Sequence, residues 1–247
     1  MDGGLSCRET EIRMKRLGLS LKKVKALFIS HEHSDHIKGV NRLSKKYQLP
    51  VYITPQTREQ GRLVIHEHLA RSFENYEPVS VGGLSVTAFP TNHDACDPHS
   101  FVVSFNSVHV GVITDVGLAC EHVVKNFQQC HAVFLEANYD EDLLENGRYQ
   151  LQLKNRIRDG KGHLSNKQAL ELFIRHKPPF MSHLILAHLS EENNRQKIVK
   201  DMFSAVSGDT KIIVASRSKE TKVHFVHQSL KSGEAFSQAQ YAQLSLF

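Results

Sequence analysis

No hydrophobic run in this 247-residue chain approaches the roughly eighteen residues that a membrane helix needs. The charged opening MDGGLSCRETEIRMKR also lacks the apolar stretch of a secretory signal. A membrane protein is therefore not expected, and a cytoplasmic one is. Cysteine is scarce: Cys7, Cys96, Cys120 and Cys130 lie far apart with no CxxC pair, which argues against a zinc ribbon or a disulfide framework and leaves four reduced thiols. Pro/Gly/Ser linkers, internal repeats and low-complexity tracts are missing too. With 40% hydrophobic and 23% charged residues, the composition excludes disorder, collagen and coiled coil and predicts one mixed α/β domain over residues 1–247. The excess of base is small, a formal charge of +5 with a pI near 9.0, and tilts only mildly toward an anionic partner such as nucleic acid. What the chain has in quantity is histidine, sixteen of them, which directs attention to metal-ligand spacing.

The Ser6-Cys-Arg-Glu9 capping-box pattern and Gly18 predict a helix from Ser6 to Leu17. Apolar runs predict strands at Lys25 to Ser30, Val51 to Thr54 and Ala132 to Ala137. Alternating patterns predict Leu84 to Phe89, Phe101 to Phe105 and Val108 to Thr114, and later Leu184 to Ala187, Lys211 to Ala215 and Lys222 to Val226. Helices are expected at Ile37 to Tyr47, Gln56 to Phe73, Leu118 to Phe127, in pieces as far as Ile157, and at Ser165 to His176.

The densest chemistry is His31-Glu32-His33-Ser34-Asp35-His36, directly after the strand ending at Ser30. Three imidazoles and a carboxylate on a tight strand-to-helix turn can point in two directions and so serve two neighbouring cations. The alternative is a solvated polar loop. This HxHxDH pattern resembles the signature of the metallo-β-lactamase superfamily. The resemblance implies a four-layered αβ/βα fold, with two mixed sheets between helices. It also implies further ligands at strand ends, and Thr91-Asn92-His93-Asp94, Asp115 and His188 stand at those places. In the family's arrangement His31, His33 and His93 hold one metal, Asp35, His36 and His188 the other, and Asp115 bridges them. Two divalent ions, zinc or manganese, are expected. His66-Glu67-His68 is also HxH, but it falls in a predicted helix, where residues two apart diverge by about 200°, so it is read as a surface feature. Cys96, near His93, is left out of the ligand set because the nitrogen and oxygen donors already suffice.

Glu136, in Leu135-Glu-Ala-Asn-Tyr-Asp140, and His163, in Gly162-His-Leu-Ser-Asn166, resemble the carboxylate and histidine of the superfamily's phosphodiesterases, in which the histidine helps protonate the leaving oxygen. The plainer alternative has His163 capping a helix and Glu136 as surface charge. Between them, Arg148, Lys154, Arg156, Arg158 and Lys161 form a basic segment suited to backbone phosphates, or to an ordinary solvated face.

The phrases LFISHEHSDHIKGV, TNHDACDP, GVITDVG, LEANYD, GHLSN and LILAHLSEENN resemble the YycJ-like (WalJ-like) branch, regarded as 5′-to-3′ exonucleases on DNA. On that resemblance the protein is a binuclear metal-dependent phosphodiesterase whose partner is nucleic acid, DNA in preference to RNA. A hydroxide shared by the two ions would attack phosphorus, with Asp35, His163 and Glu136 as catalytic groups. Two alternatives remain: a metallo-hydrolase of a small thioester, lactone or lactam, and a non-catalytic metal-binding regulator. Met1-Asp2-Gly3-Gly4 corresponds to the end of the family's strand after its first β-hairpin, so that hairpin is missing from this sequence. Either the start is internal to a longer protein, or this form leaves a sheet edge exposed.

Overall fold

The computed structural model describes residues 1–227. The described residues divide into two compact units: Met1–Pro90 with Asp94–Phe101, and Thr91–His93 with residues 102–227.

In the first unit, α1 (Cys7–Arg16) is followed by β1 (Leu27–Phe28), α2 (Ser34–Ile37), α3 (Val40–Tyr47), β2 (Val51–Tyr52), α4 (Pro55–Gln60) and β3 (Ala70–Arg71). β1, β2 and β3 form a parallel three-stranded sheet in that order. Met14, Leu27, Ile29, Val40, Leu43, Val51, Ile53 and Leu69 pack into its core. The antiparallel hairpin of β4 (Pro78–Val81) and β5 (Leu84–Pro90) turns on Gly82 and Gly83, both at positive φ, as a two-residue turn between twisted strands requires. Only half of the expected capping box forms. Ser6 Oγ accepts the Glu9 N–H, but the Glu9 carboxylate turns forward to Arg13 at 2.8 Å.

β6 (His99–Phe105) carries the chain into the second unit and turns at Asn106, φ +50°, into β7 (Val108–Ile113). There follow α5 (Glu121–Phe127), β8 (Ala132–Glu136), α6 (Glu141–Asn146), α7 (Leu151–Arg158), α8 (Asn166–His176), β9 (His183–Ala187), α9 (Gln196–Ser204) and β10 (Lys211–Val214). β7, β8, β9 and β10 run parallel as neighbours, and near-continuous apolar runs such as AVFLE and HLILA are what strands buried on both faces need. Leu135, Leu184 and Leu186 on the strands are completely buried, as are Val123, Phe127, Phe173, Val199 and Phe203 on the helices. Ser165 and Gln168 cap the start of α8 reciprocally.

Three expectations need correction. The helix predicted over Gln56 to Phe73 ends at Gln60, because Gly61 closes it and Arg62 adopts φ +49°; the chain then feeds Leu63, Ile65 and Leu69 into the core. His66 and His68 consequently lie on an exposed turn, not a helix, with rings stacked 5.7 Å apart; they remain surface residues, for a different reason. The stretch Ile37 to Tyr47 is two helices, α2 and α3, separated at Lys38 and Gly39. Lys222 to Val226 forms no strand beyond a bridge at Val226, since β-propensity does not replace a paired neighbour.

Candidate metal centre

In the first unit, the loop after β1 places His31, His33, Asp35 and His36 within one turn, His33 at the N-cap of α2 and Asp35 and His36 in its single turn. The rings of His31 and His33 lie 4.5 Å apart edge-on, and those of His31 and His36 4.1 Å apart. Asp2 organises this loop. Its Oδ1 accepts the Ser30 N–H at 2.8 Å, and its Oδ2 accepts the Ser30 hydroxyl and the His36 Nδ1–H, both at 2.9 Å. Ser30 Oγ, its proton given to Asp2, accepts in turn from His31 Nδ1 at 2.9 Å. This chain assigns the proton of both imidazoles to Nδ1 and so presents Nε2 as the ligating nitrogen. Burial works to raise the Asp2 pKa, but the charge and hydrogen bond of His36, with the Ser30 N–H, hold it below the usual carboxylate value.

The segment bearing Asp2 lies backbone to backbone on the ligand loop. Gly3 N–H donates to His36 O at 2.7 Å, and Gly39 N–H to Gly3 O at 2.6 Å. A Cβ on Gly4 would stand 1.5 Å from the Asp35 carbonyl oxygen, so only glycine fits. On the other side, Glu32 Oε1 accepts the Cys96 N–H at 2.9 Å and Oε2 its thiol at 3.2 Å. Burial and this carboxylate push the Cys96 thiol up to about 11, which opposes a thiolate ligand and agrees with leaving it out of the donor set.

In the second unit, five predicted residues come together: His93, Asp115, Glu136, His163 and His188. Asp115 stands two residues past β7, Glu136 closes β8 and His188 follows β9. The register pairs Ile113 with Leu135 and Glu136 with Ala187, so these strands deliver their last residues at one level. Asp115 and His188 both adopt φ +56°, a left-handed conformation unfavourable for side chains with a Cβ and concentrated at functional sites.

Glu136 is fully buried and sits at the hub. Its Oε2 accepts the backbone N–H groups of Val116 at 2.8 Å and Leu164 at 3.2 Å; its Oε1 accepts Nδ1–H of His188 at 2.8 Å and of His163 at 2.9 Å. Both oxygens are thus committed to N–H donors, which makes Glu136 a positioning group for two imidazoles and not itself a ligand. Burial would raise its pKa, but His163 and His188 outweigh that and keep it ionised. Burial likewise works to lower the His163 pKa, and the Glu136 charge and hydrogen bond overcome it, holding His163 above the ordinary histidine value. His93, lowered by burial, gives its Nδ1–H to Gly162 O at 2.9 Å.

The donor set suits a cation. Nε2 of His93 and Nε2 of His188 each lie 3.6 Å from Asp115 Oδ1. That is too long for a hydrogen bond but close to the separation of two ligands bound at about 2.0–2.2 Å to one tetrahedral ion. A carboxylate oxygen of each of Asp115 and Glu136 and a ring nitrogen of each of His163 and His188 all fall within 4.8 Å of one another.

Of the basic segment, Arg148 pairs with Glu192 at 2.7 Å, Arg158 with Glu145 at 2.9 Å, and Lys154 reaches the Glu145 carbonyl. α7 buries no residue and exposes Leu151 and Leu153. Sequence reasoning had missed Asp2 and Asn138, whose Nδ2 donates to the His188 carbonyl at 2.8 Å. The Gly-Gly after Asp2, permitting close backbone approach, was the one available signal for the former.

Comparison with known proteins identifies the family and the fold. Residues 2–188 match the profile of the "Beta-lactamase superfamily domain". The exodeoxyribonuclease YycJ of Bacillus anthracis is 31% identical over 214 residues, covering 83% of this chain and 79% of that protein. The exodeoxyribonuclease WalJ of Streptococcus pneumoniae serotype 2 is 29% identical over 203 residues, covering 80% and 76%. Among solved structures, the metallo-β-lactamase fold protein YhfI of Bacillus subtilis superposes with a TM-score of 0.66 at 19% identity, covering 87% of this chain and 83% of that one.

Proposed function

The chain belongs to the metallo-β-lactamase superfamily and has its mixed α/β fold with two sheets, and from that premise we propose that it is a metal-dependent exonuclease that hydrolyses DNA in the 5′-to-3′ direction. In this reading His31, His33, Asp35, His36, His93, Asp115 and His188 hold two divalent ions, zinc or manganese. Bound there, such ions supply positive charge that polarises a phosphoryl oxygen and favours deprotonation of water. The protein's own groups do the rest. Asp35, exposed at the start of α2, accepts a hydrogen bond from the attacking water. His163 Nδ1–H is fixed on Glu136, and its Nε2–H donates a proton to the leaving oxygen. Arg148, Lys154, Arg156, Arg158 and Lys161 line the path of the strand, with Arg148 and Arg158 also paired to Glu192 and Glu145. The names of the curated relatives support DNA as the substrate, and with it a cytoplasmic location.

The observation that carries the proposal is the sharing of one buried carboxylate oxygen between His163 and His188. It ties a proton donor to a metal-ligand candidate, the arrangement that protonating a leaving oxygen beside a metal centre needs. The test uses purified protein with and without chelator on 5′-labelled duplex DNA, single-stranded DNA, RNA and a chromogenic lactam. Asp35→Ala should abolish activity. His163→Ala should cut DNA cleavage by about 10²- to 10⁴-fold. Lactam or thioester turnover insensitive to His163→Ala would move the function to a small-molecule hydrolase, and metal binding without turnover on any substrate would leave a regulatory domain.

A further inference from the structure

The family match stops at residue 188, and the last strand of the described residues is β10. The sequence runs on to Gln243-Leu244-Ser245-Leu246-Phe247, outside the described residues. Its apolar content changes abruptly there. The fifteen residues 228–242, rich in Ser, Gln and Ala, contain three bulky apolar side chains, Leu230, Phe236 and Tyr241; the last four residues alone contain Leu244, Leu246 and Phe247. A compact Leu-x-Leu-Phe group with one amide side chain ahead of it is the composition of a peptide anchor. Apolar side chains fill a partner's pocket and give affinity, while a donor-and-acceptor amide fixes register.

The proposed reaction says what kind of partner would benefit. An exonuclease meets new bases at every step, so its hold on DNA must be blind to sequence. Charge supplies such a hold, but here the net charge is only +5, and Arg148 and Arg158 are paired with Glu192 and Glu145. Contacts of that number weaken steeply as salt rises. A protein ring threaded on the duplex has the complementary property, staying on DNA by topology without reading bases.

We propose that Gln243–Phe247 is a docking peptide for a DNA-encircling clamp protein, whose apolar pocket takes Leu244, Leu246 and Phe247 and whose polar rim takes the Gln243 amide. The inference rests on the exonuclease reading for its purpose, though its test needs no catalysis. The fifteen residues before the anchor span at most about 50 Å, so docking would hold the nuclease near the duplex at an effective concentration on the order of millimolar.

The experiment is surface plasmon resonance of the full-length protein over the immobilised DNA sliding clamp of its host. Saturable binding in the micromolar range is expected. Combined replacement of Leu244, Leu246 and Phe247 by alanine should weaken it by about 100-fold or more, and Gln243→Ala by about tenfold. Neither change should alter the urea unfolding midpoint or cleavage of a short oligonucleotide. Absence of saturable binding at tens of micromolar, or binding that survives the triple replacement, overturns the proposal. So does a tail-dependent dimer in ultracentrifugation, which would make a second copy the occupant, or tail-dependent binding to acidic lipid vesicles. Clamp binding by a protein that cleaves no nucleic acid would keep the anchor and refute the nuclease reading; cleavage without clamp binding would do the reverse.

Discussion

Replacing Glu136 by glutamine keeps the size of a fully buried side chain and changes one thing, its capacity to accept four N–H groups. An amide has one accepting oxygen and one donating nitrogen, so either Val116 and Leu164 or His163 and His188 must face a donor. In the first case two backbone N–H groups are orphaned. In the second both imidazoles must move their proton to Nε2, and His188 then loses the lone pair with which it would bind metal. Hydrogen bonds to a charged group contribute about 1.5–3 kcal/mol each; two are lost, and a tautomer shift recovers part, so Glu136→Gln should destabilise the fold by about 2–4 kcal/mol. With a urea slope of about 2–3 kcal/mol/M, the midpoint falls by roughly 1 M. Zinc affinity, measured by chelator competition, should fall by about 10- to 100-fold, the usual effect of removing a partner that orients a ligand. A variant within 0.5 kcal/mol of the parent that binds zinc within about twofold as tightly would refute the assignment of Glu136 as the hub.

Three further outcomes follow from other parts of the molecule. Gly4→Ala puts a Cβ 1.5 Å from the Asp35 carbonyl, and calorimetry should show a loss of about 3 kcal/mol or more, or no folded protein; an unchanged melting temperature would mean the N-terminal segment does not pack on the ligand loop. Burial first, then His224, Lys211 and His227, lowers His183 to about 4. Its folded pKa lies below the unfolded value, so the stability it contributes is complete above about pH 6.5 and is lost as pH falls toward 4; discounted for its half-exposure this is about 1–2 kcal/mol. His183→Gln should flatten the urea midpoint between those pH values, and an equally steep dependence in the variant would refute this. Phe203, fully buried on α9 with its ring 5.8 Å from that of Phe173, should cost about 3–5 kcal/mol when replaced by alanine, read from chemical denaturation.

The parts of the site visible in the sequence were those carried by neighbouring residues. His31 to His36 announced themselves because four ligands, three imidazoles and a carboxylate, fall within six positions, and Asp115 and His188 because the family resemblance points to strand ends, where each is a polar residue closing an apolar strand. Asp2 escaped notice because its partner His36 is thirty-four residues away and joined through a backbone approach that only Gly3 and Gly4 record. The pairing of Glu136 with His163 was readable by resemblance, but its second grip, on His188, depends on the register of β8 against β9. Local chemistry also misled. The run after Gln56 contains enough helix formers to suggest one long helix, and the stop at Gly61 and Arg62 outweighs them because Leu63, Ile65 and Leu69 gain more by entering the core. α9 has a plain i, i+4 pair, Val199 and Phe203, in a stretch to which the sequence reading assigned no element.

The in-phase ending of β7, β8 and β9 makes the chain unequally tolerant of length changes. Side chains alternate along a strand, so a single codon inserted within Ala132–Glu136 would turn Glu136 toward the opposite face and dismantle the cluster at a stroke. The connection from Asn138 to His163 lies beyond that phase, and residues added at its middle need not disturb Glu136 or His163. Variation in substrate choice among descendants of this scaffold would accordingly be written as loop length, while the strands admit only substitution.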